Sequence, residues 1–294
     1  LLKRPFRFAE ALRLGVSEQQ LRSRRFRRVF HDVHVFVDLP DSTALRADAA
    51  LLILPDSAAF CGLTAARLYG LPVPDDDERL HVAVPSWTPT IPRIKELVVH
   101  SYSIPIEQIR KRDGRWLVAP ERLFLELAAT LPRIELIVAG DQMLRRDLTT
   151  PDALDAFLRR CRRRRGVRKA RTAVPMLERN TDSPPESRLR MLLVDAGLPR
   201  PVANRDVFHD TIPGLRLARP DLSYPELKIA IQYEGRHHQE DSRQYAYDIE
   251  RDGHLIDRQW IVIRVNKDGL FRYPGIVVER VRRAIAQRRL AVPR

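Results

Sequence analysis

Apolar residues in the first forty positions recur at helical spacing and then alternate. Phe6, Phe8, Ala9, Ala11 and Leu12 fit one face of a short helix, and Gly15-Val16 breaks it with a turn. Ser17-Glu-Gln-Gln20 has the spacing of a capping box, which predicts a second helix with Leu21 on its inner face. Arg27-Arg-Val-Phe30 and Val33-His-Val-Phe-Val37, separated by His31-Asp32, predict a short hairpin. Beyond it the pattern predicts helices over 44–54, 58–69, 120–129 and 134–144, and from Pro151 to near Phe157. Strands are predicted over 81–84 and 97–100. Ser183-Pro-Pro-Glu186 opens a helix to about Ala196, with Leu189, Leu192 and Leu193 apolar and Gly197 as its stop. Strands follow at Val207-Phe208, 215–217, 227–233 and 260–265. A helix over 245–258 places Asp248, Arg251, Asp252 and Leu255 on one face, and a basic helix over 276–287 closes the chain.

A chain of 294 residues supports two or three cores. The expected class is mixed α/β (α+β) and multidomain. It begins with a winged helix-turn-helix over 1–40, followed by a mixed middle domain over 41–158. The turn-rich stretch Asn180-Thr-Asp-Ser-Pro-Pro185 separates a basic linker over 159–182 from a last domain over 183–294. In a winged helix-turn-helix the second helix enters the major groove and the wing touches the backbone. Arg22, Arg24 and Arg25 at the helix end, with Arg27 and Arg28 on the wing, are the candidates for those contacts. A helical hairpin with no DNA contact would produce the same pattern.

Charge strengthens the nucleic-acid expectation. The net charge is +14 with a pI near 10.5, carried overwhelmingly by arginine, whose planar fork matches phosphate oxygens. The block around Arg162, Arg163, Arg164 and Arg165 is either a self-repelling linker or a second phosphate contact. No apolar run approaches a membrane span of roughly 20 residues. The charged N-terminus is unlike a secretory signal. Cys61 and Cys161 stand far apart, without C-x-x-C partners, which argues against a disulfide framework or a zinc site. A cytoplasmic location is expected. The middle domain shows no glycine-rich phosphate loop and no nucleophile–base pair, so no small-molecule cofactor is expected. His81 and His100 read as ordinary strand residues.

The densest chemistry lies between Arg219 and His238. Asp221, in Arg219-Pro-Asp221, caps an apolar run, and Glu234 ends that run ahead of Gly235-Arg-His237-His238. Side chains alternate along a strand, so Gln232 and Glu234 share a face and Tyr233 takes the other. Acids at strand ends beside a His-rich turn can hold a hard divalent cation and activate water for phosphodiester hydrolysis. Structural roles are open to the same residues. Glu186 completes the Ser183 capping box, Asp221 starts a strand, and Asp248, Arg251 and Asp252 can form an intrahelical ion-pair network.

Taken in order, these elements over about 183–270 resemble the PD-(D/E)xK nuclease superfamily, and within it the very-short-patch-repair-like branch. That resemblance implies a restriction-endonuclease-like mixed sheet flanked by helices. It implies Mg2+ (or Mn2+) held by Asp221, Glu234, Glu186 and Gln232, and a catalytic set of Glu186, Asp221, Glu234, His237 and His238. His237 or His238 would relay a proton or polarise the attacked phosphate. Asp248 and Asp252 would orient them, and Arg251 would bind DNA at the scissile phosphate or pair with those residues. Two positions depart from the pattern: Gln232 stands where the branch carries an acid, and Arg236 replaces the lysine of the superfamily's name. An amide oxygen can coordinate magnesium but adds no charge. The first half resembles abortive-infection antitoxin-type winged-helix proteins. The expectation is therefore a metal-dependent DNA endonuclease targeted by its N-terminal module. The alternative is an antitoxin-type DNA-binding transcriptional regulator with an inactive nuclease-like domain. An RNA-binding protein is a third, weaker reading.

Overall fold

The computed structural model describes residues 3–88, 91, 93–102, 104–209, 212–235, 253 and 255–291. It separates into two compact units, Leu1–Leu131 with Asp152–Arg171, and Pro132–Pro151 with Thr172–Arg294. The architecture is mixed α+β, with several sheets.

The first unit opens with β1 (Phe6–Arg7), α1 (Phe8–Arg13), α2 (Glu18–Leu21), β2 (Phe26–Phe30) and β3 (Val33–Phe36). These strands form an antiparallel sheet in the order β1-β3-β2. The expected capping box is present: Gln20 N donates to Ser17 Oγ at 3.2 Å, and Ser17 N donates to Gln20 Oε1 at 2.7 Å. Phe6, Ala11 and Leu21 are buried, with Phe8, Val16, Phe26 and Phe36 packed against them. Phe6 meets Phe26 edge-on at 5.9 Å, the arrangement that ring quadrupoles favour. The second helix is nevertheless a single turn. Arg25 O already accepts from Val37 N at 2.9 Å, so the chain must leave the helix by Arg22 to join the hairpin.

There follow α3 (Thr43–Leu51), β4 (Ala59–Phe60), α4 (Gly62–Leu68), β5 (Leu80–Val84), β6 (Leu97–Ser101), β7 (Ile109–Arg112), β8 (Arg115–Val118) and α5 (Pro120–Thr130). The five strands pair in the order β6-β5-β4-β8-β7. The predicted helix over 58–69 is thus corrected at its start. Phe60 is buried and registers with Val82 on one side and Leu117 on the other, so sheet pairing overrides local helix preference. Gly62 then takes φ +50° as the chain turns into α4. The β7–β8 hairpin was not predicted, although Asp113-Gly114, with φ +47° and +80°, is a turn pair suited to it. Helices α7 (Pro151–Arg160) and α8 (Val167–Ala173) occupy part of the segment expected as a basic linker. Between them Gly166, at φ +81°, presses on α5. A Cβ there would lie 2.6 Å from Ala129 N.

The second unit contains α6 (Arg133–Arg145), α9 (Pro184–Asp195) and a four-stranded sheet in the order β14-β13-β12-β9. Here β9 is Val202–Ala203, β12 is Leu222–Tyr224, β13 is Ile229–Glu234 and β14 is Ile261–Asn266. Strands β12 and β13 are antiparallel, whereas β13 and β14 are parallel. Strands β10 (Val207–Phe208) and β11 (Arg216–Ala218) pair separately. Ile229, Ile231 and Tyr233 face a core with Leu189, Leu193, Ile263, Val265 and Val281, while Ala230 packs with Ala218 and Leu255. Each large aliphatic side chain buried this way contributes roughly 1.5–3 kcal/mol. The expected alternation along β13 follows, with Tyr233 on the core face and Gln232 and Glu234 on the other. Asp141 on α6 and Arg190 on α9 form a fully buried ion pair, Nη2 to Oδ2 at 2.8 Å.

Candidate functional site

The C-terminal residues expected to bind metal are held by protein groups. The Glu186 carboxylate accepts from Ser183 Oγ, Asp182 N and Asn204 Nδ2, each at 2.7 Å. Burial raises its pKa despite those donors. Asp221 lies one residue before the Leu222–Ile231 pair, and its Oδ2 accepts from Tyr233 N at 2.6 Å. Glu234 accepts from Arg264 Nη1 at 2.8 Å. Gln232 is 5% exposed, and its buried Nε2 finds no hydrogen-bond partner among the described residues. Among the described residues no three His, Cys, Asp or Glu side chains are grouped so as to hold a metal ion. In this arrangement the described acids meet protein donors. Glu186 is spent on the start of α9, and Arg264 puts a cation on Glu234. His237, His238, Arg236, Asp248, Arg251 and Asp252 lie outside the described residues.

In the N-terminal module the five arginines expected to meet DNA have different surroundings. Arg22 pairs with Glu18 one turn back. Arg27 lies 3.3 Å from Asp41 and also donates to Leu39 O, which ties the hairpin to the chain that follows it. Arg24, Arg25 and Arg28 are exposed, and none makes a carboxylate pair among the described residues. Within the same sheet His34 stacks on Phe6, and its pKa is lowered by burial and then by Arg28.

A site that the sequence did not reveal lies in the first unit, between the five-stranded sheet and α5. It is a cavity of about 1210 Å³. Its floor is an acid with three donors: Glu126 Oε1 accepts from Tyr102 Oη at 2.9 Å and Arg122 Nε at 2.8 Å, and Oε2 accepts from Gly62 N at 3.1 Å. Gly62 serves by bringing its amide to that carboxylate while the His81 ring lies against it, 3.7 Å from where a Cβ would stand. Arg122 also crosses the Tyr102 ring at 5.0 Å. Burial, together with the Glu126 charge, pushes both the Tyr102 phenol and the Cys61 thiol up, so neither is an activated nucleophile.

On one wall, His81 Nδ1 and His100 Nε2 are 3.1 Å apart, and His81 Nε2 lies 3.2 Å from Asp77 Oδ2. The parallel register of β5 and β6 puts His81 beside Val98 and Ala83 beside His100, which brings the two rings to one face, edge to edge with centroids 5.4 Å apart. Two nitrogens this close share a single hydrogen, so one ring donates and the other accepts. Burial, and then the charge of His81, hold His100 below its usual pKa. Arg79, first among its partners, holds the Asp77 carboxyl well below the usual range. Arg160, Arg162, Arg164 and Arg165 form the rim, and none of them is paired with a carboxylate among the described residues. Local sequence could not show this. The histidines are 19 residues apart, and the acid and the arginines come from separate helices and the loop before Gly166.

Among the described residues no helix is long and apolar enough to cross a membrane, and Cys61 and Cys161 are both free. Comparison with known proteins locates this cavity within a family match. The family described as AbiEi antitoxin C-terminal domain matches residues 58–179. That supports the antitoxin-type resemblance of the first half and does not extend beyond residue 179. Two uncharacterised proteins of Mycobacterium tuberculosis, MT2308 of strain CDC 1551 and Rv2248 of strain H37Rv, are each 26% identical over 266 residues. These alignments cover 90% of this chain and 94% of each relative. The crystal structure of the RV2827C protein of the same organism aligns with 63% of this chain and 73% of its own, at 12% identity and a TM-score of 0.37, too low to carry an argument. What these comparisons establish is a chain similar, over residues 58–179, to the C-terminal domain of AbiEi antitoxins.

Proposed function

We propose that this protein is a DNA-binding regulator of the antitoxin type, in which the C-terminal half serves as a folded scaffold. The observation that carries this reading is the antitoxin-domain match over 58–179, directly following a small arginine-rich helix–hairpin module. Arg24, Arg25 and Arg28 are exposed side chains of that module with no carboxylate partner among the described residues and can meet phosphates, with Arg22 at the same turn. Arg27, held by Asp41 and Leu39, shapes the hairpin instead.

The test is the salt dependence of duplex binding by fluorescence anisotropy. Three phosphate contacts contribute about −2.7 to the slope of log K against log salt, at about −0.9 per contact. Arg24→Glu/Arg25→Glu/Arg28→Glu should remove about that much slope and most of the affinity. An unchanged slope would transfer DNA binding to another surface. The endonuclease reading remains as a second proposal, favoured by the placement of Asp221 at the start of β12 with Gln232 and Glu234 on one face of β13. It requires Glu234 to leave Arg264 for Mg2+ or Mn2+. Nicking of supercoiled plasmid by the wild type, lost in Asp221→Ala, would establish it. Inert wild type at saturating metal would exclude it.

A further inference from the structure

The cavity above Glu126 is assigned no role by DNA binding, and its chemistry changes from floor to rim. The interior presents apolar surface from Leu63, Leu125 and Phe157 and the side-by-side His81 and His100 rings. The rim presents Arg160, Arg162, Arg164 and Arg165, none of them ion-paired with a carboxylate among the described residues, while Asp76 and Asp77 line the cavity beside Arg79. Guanidinium forks match phosphate oxygens in pairs, whereas flat apolar walls match the face of an aromatic ring. At about 1210 Å³ the space accommodates a drug-sized molecule, since such sites span roughly 300–1,000 Å³.

We propose that this cavity binds a free nucleoside polyphosphate, with the base between the histidine wall and α5 and the phosphates under the arginine rim. The anchoring differs from a glycine-rich phosphate loop, in which backbone amides hold the anion. Here arginine side chains do so, and they are kept over the cavity because Gly166 fixes the loop against the backbone of Ala128 and Ala129. Glu126 does not oppose the phosphates, because Arg122, Tyr102 and Gly62 already satisfy it. Gln108 and His100 supply hydrogen-bonding edges for the base, since both ring nitrogens of His81 are already engaged by His100 and Asp77. The ligand is a nucleotide rather than a bare polyanion because the rim accounts for the charge alone. The aromatic and apolar interior would otherwise be left facing water.

The experiment uses the full chain, without DNA, and follows fluorescent methylanthraniloyl-GTP and -ATP by anisotropy with unlabelled competitors. GTP or ATP should displace the probe at micromolar concentrations, and inorganic tripolyphosphate should need at least tenfold more. Arg164→Glu/Arg165→Glu, on exposed side chains that leave the fold intact, should weaken binding at least tenfold. Leu63→Trp should fill the interior and abolish nucleotide displacement while leaving tripolyphosphate binding at the rim. Absence of displacement by either nucleotide at millimolar concentration would overturn the proposal. So would equal competition by tripolyphosphate, or by a single-stranded oligonucleotide more tightly than by free nucleotide. Unchanged affinity in the arginine variant would do the same. None of these outcomes depends on whether the N-terminal module binds DNA.

Discussion

Replacing Arg190 by methionine tests what joins α6 to α9. Asp141 and Arg190 are both fully excluded from solvent, and the pair is completed by Glu178 N, which donates to Asp141 Oδ1 at 2.7 Å. Thr181 Oγ1 reaches the other oxygen at 3.4 Å. Burial raises the Asp141 pKa, with Arg190 opposing the shift. Arg190 Nε and Nη1 are buried without partners among the described residues, so the ion pair is only partly satisfied. Arg190→Met therefore strands a carboxylate in a dry core. Breaking a buried pair on one side costs about 3–5 kcal/mol, whereas replacing both partners by apolar groups is often neutral or stabilising. Asp141→Leu/Arg190→Met should accordingly recover most of the single-variant loss. For a unit of this size, about 4 °C in Tm accompanies each kcal/mol, so the single variant should melt about 12–20 °C lower. Trp260 reports on the second unit once Trp87 and Trp116 are changed to phenylalanine. Urea titrations of its fluorescence provide the free energies. A loss below about 1 kcal/mol for Arg190→Met, or a double variant worse than the single one, would refute the reasoning.

The remaining expectations concern the first unit. Gly166→Ala should cost clearly more than Gly114→Ala, although both residues have positive φ near 80°. Handedness costs each about 1–2 kcal/mol, but only Gly166 has backbone atoms within 3 Å of the added carbon. Thermal melts of the two variants compare them, and equal losses would remove the close approach to α5 as a cause. His100 and His34 both have pKa values lowered by burial, so the unfolded chain takes up protons first on acidification. Stability from this source is present above pH 6.5 and is lost as pH falls below it, towards the folded values. Asp77 beside His81, and Glu126 and Tyr102 beside His100, set the extent of that loss. Tm measured from pH 8 to 5 should decline below 6.5, and less so in His100→Asn; an identical pH profile in that variant would count against the histidine.

The sequence by itself determined those features whose cause is local. Ser17 and Gln20 spell a helix start within four residues, and the full box forms; at Ser183 the hydroxyl accepts from Glu186 N, while the Glu186 carboxylate turns to Asp182 N instead of closing the box. Alternation on β13 follows from strand geometry, so Tyr233 faces the core and Gln232 and Glu234 the other side without reference to a partner strand. The charge, and its concentration in arginine, likewise required only counting. Tertiary structure decided whatever depended on partners distant in the chain. Ala59-Phe60 is a strand because β5 and β8 flank it, although its local pattern continues into α4. Glu186, Asp221 and Glu234 were legible as acids at strand and helix ends, but their partners Asn204, Tyr233 and Arg264 become neighbours only when the sheet closes. The histidine pair was invisible for the same reason. His81 and His100 acquire a shared hydrogen, an acid floor and an arginine rim from a parallel strand register and from Gly166 lying on α5. Local chemistry is written in short spacings, whereas a site assembled across β5, β6, α5 and the loop after α7 exists only once long-range pairing fixes the register.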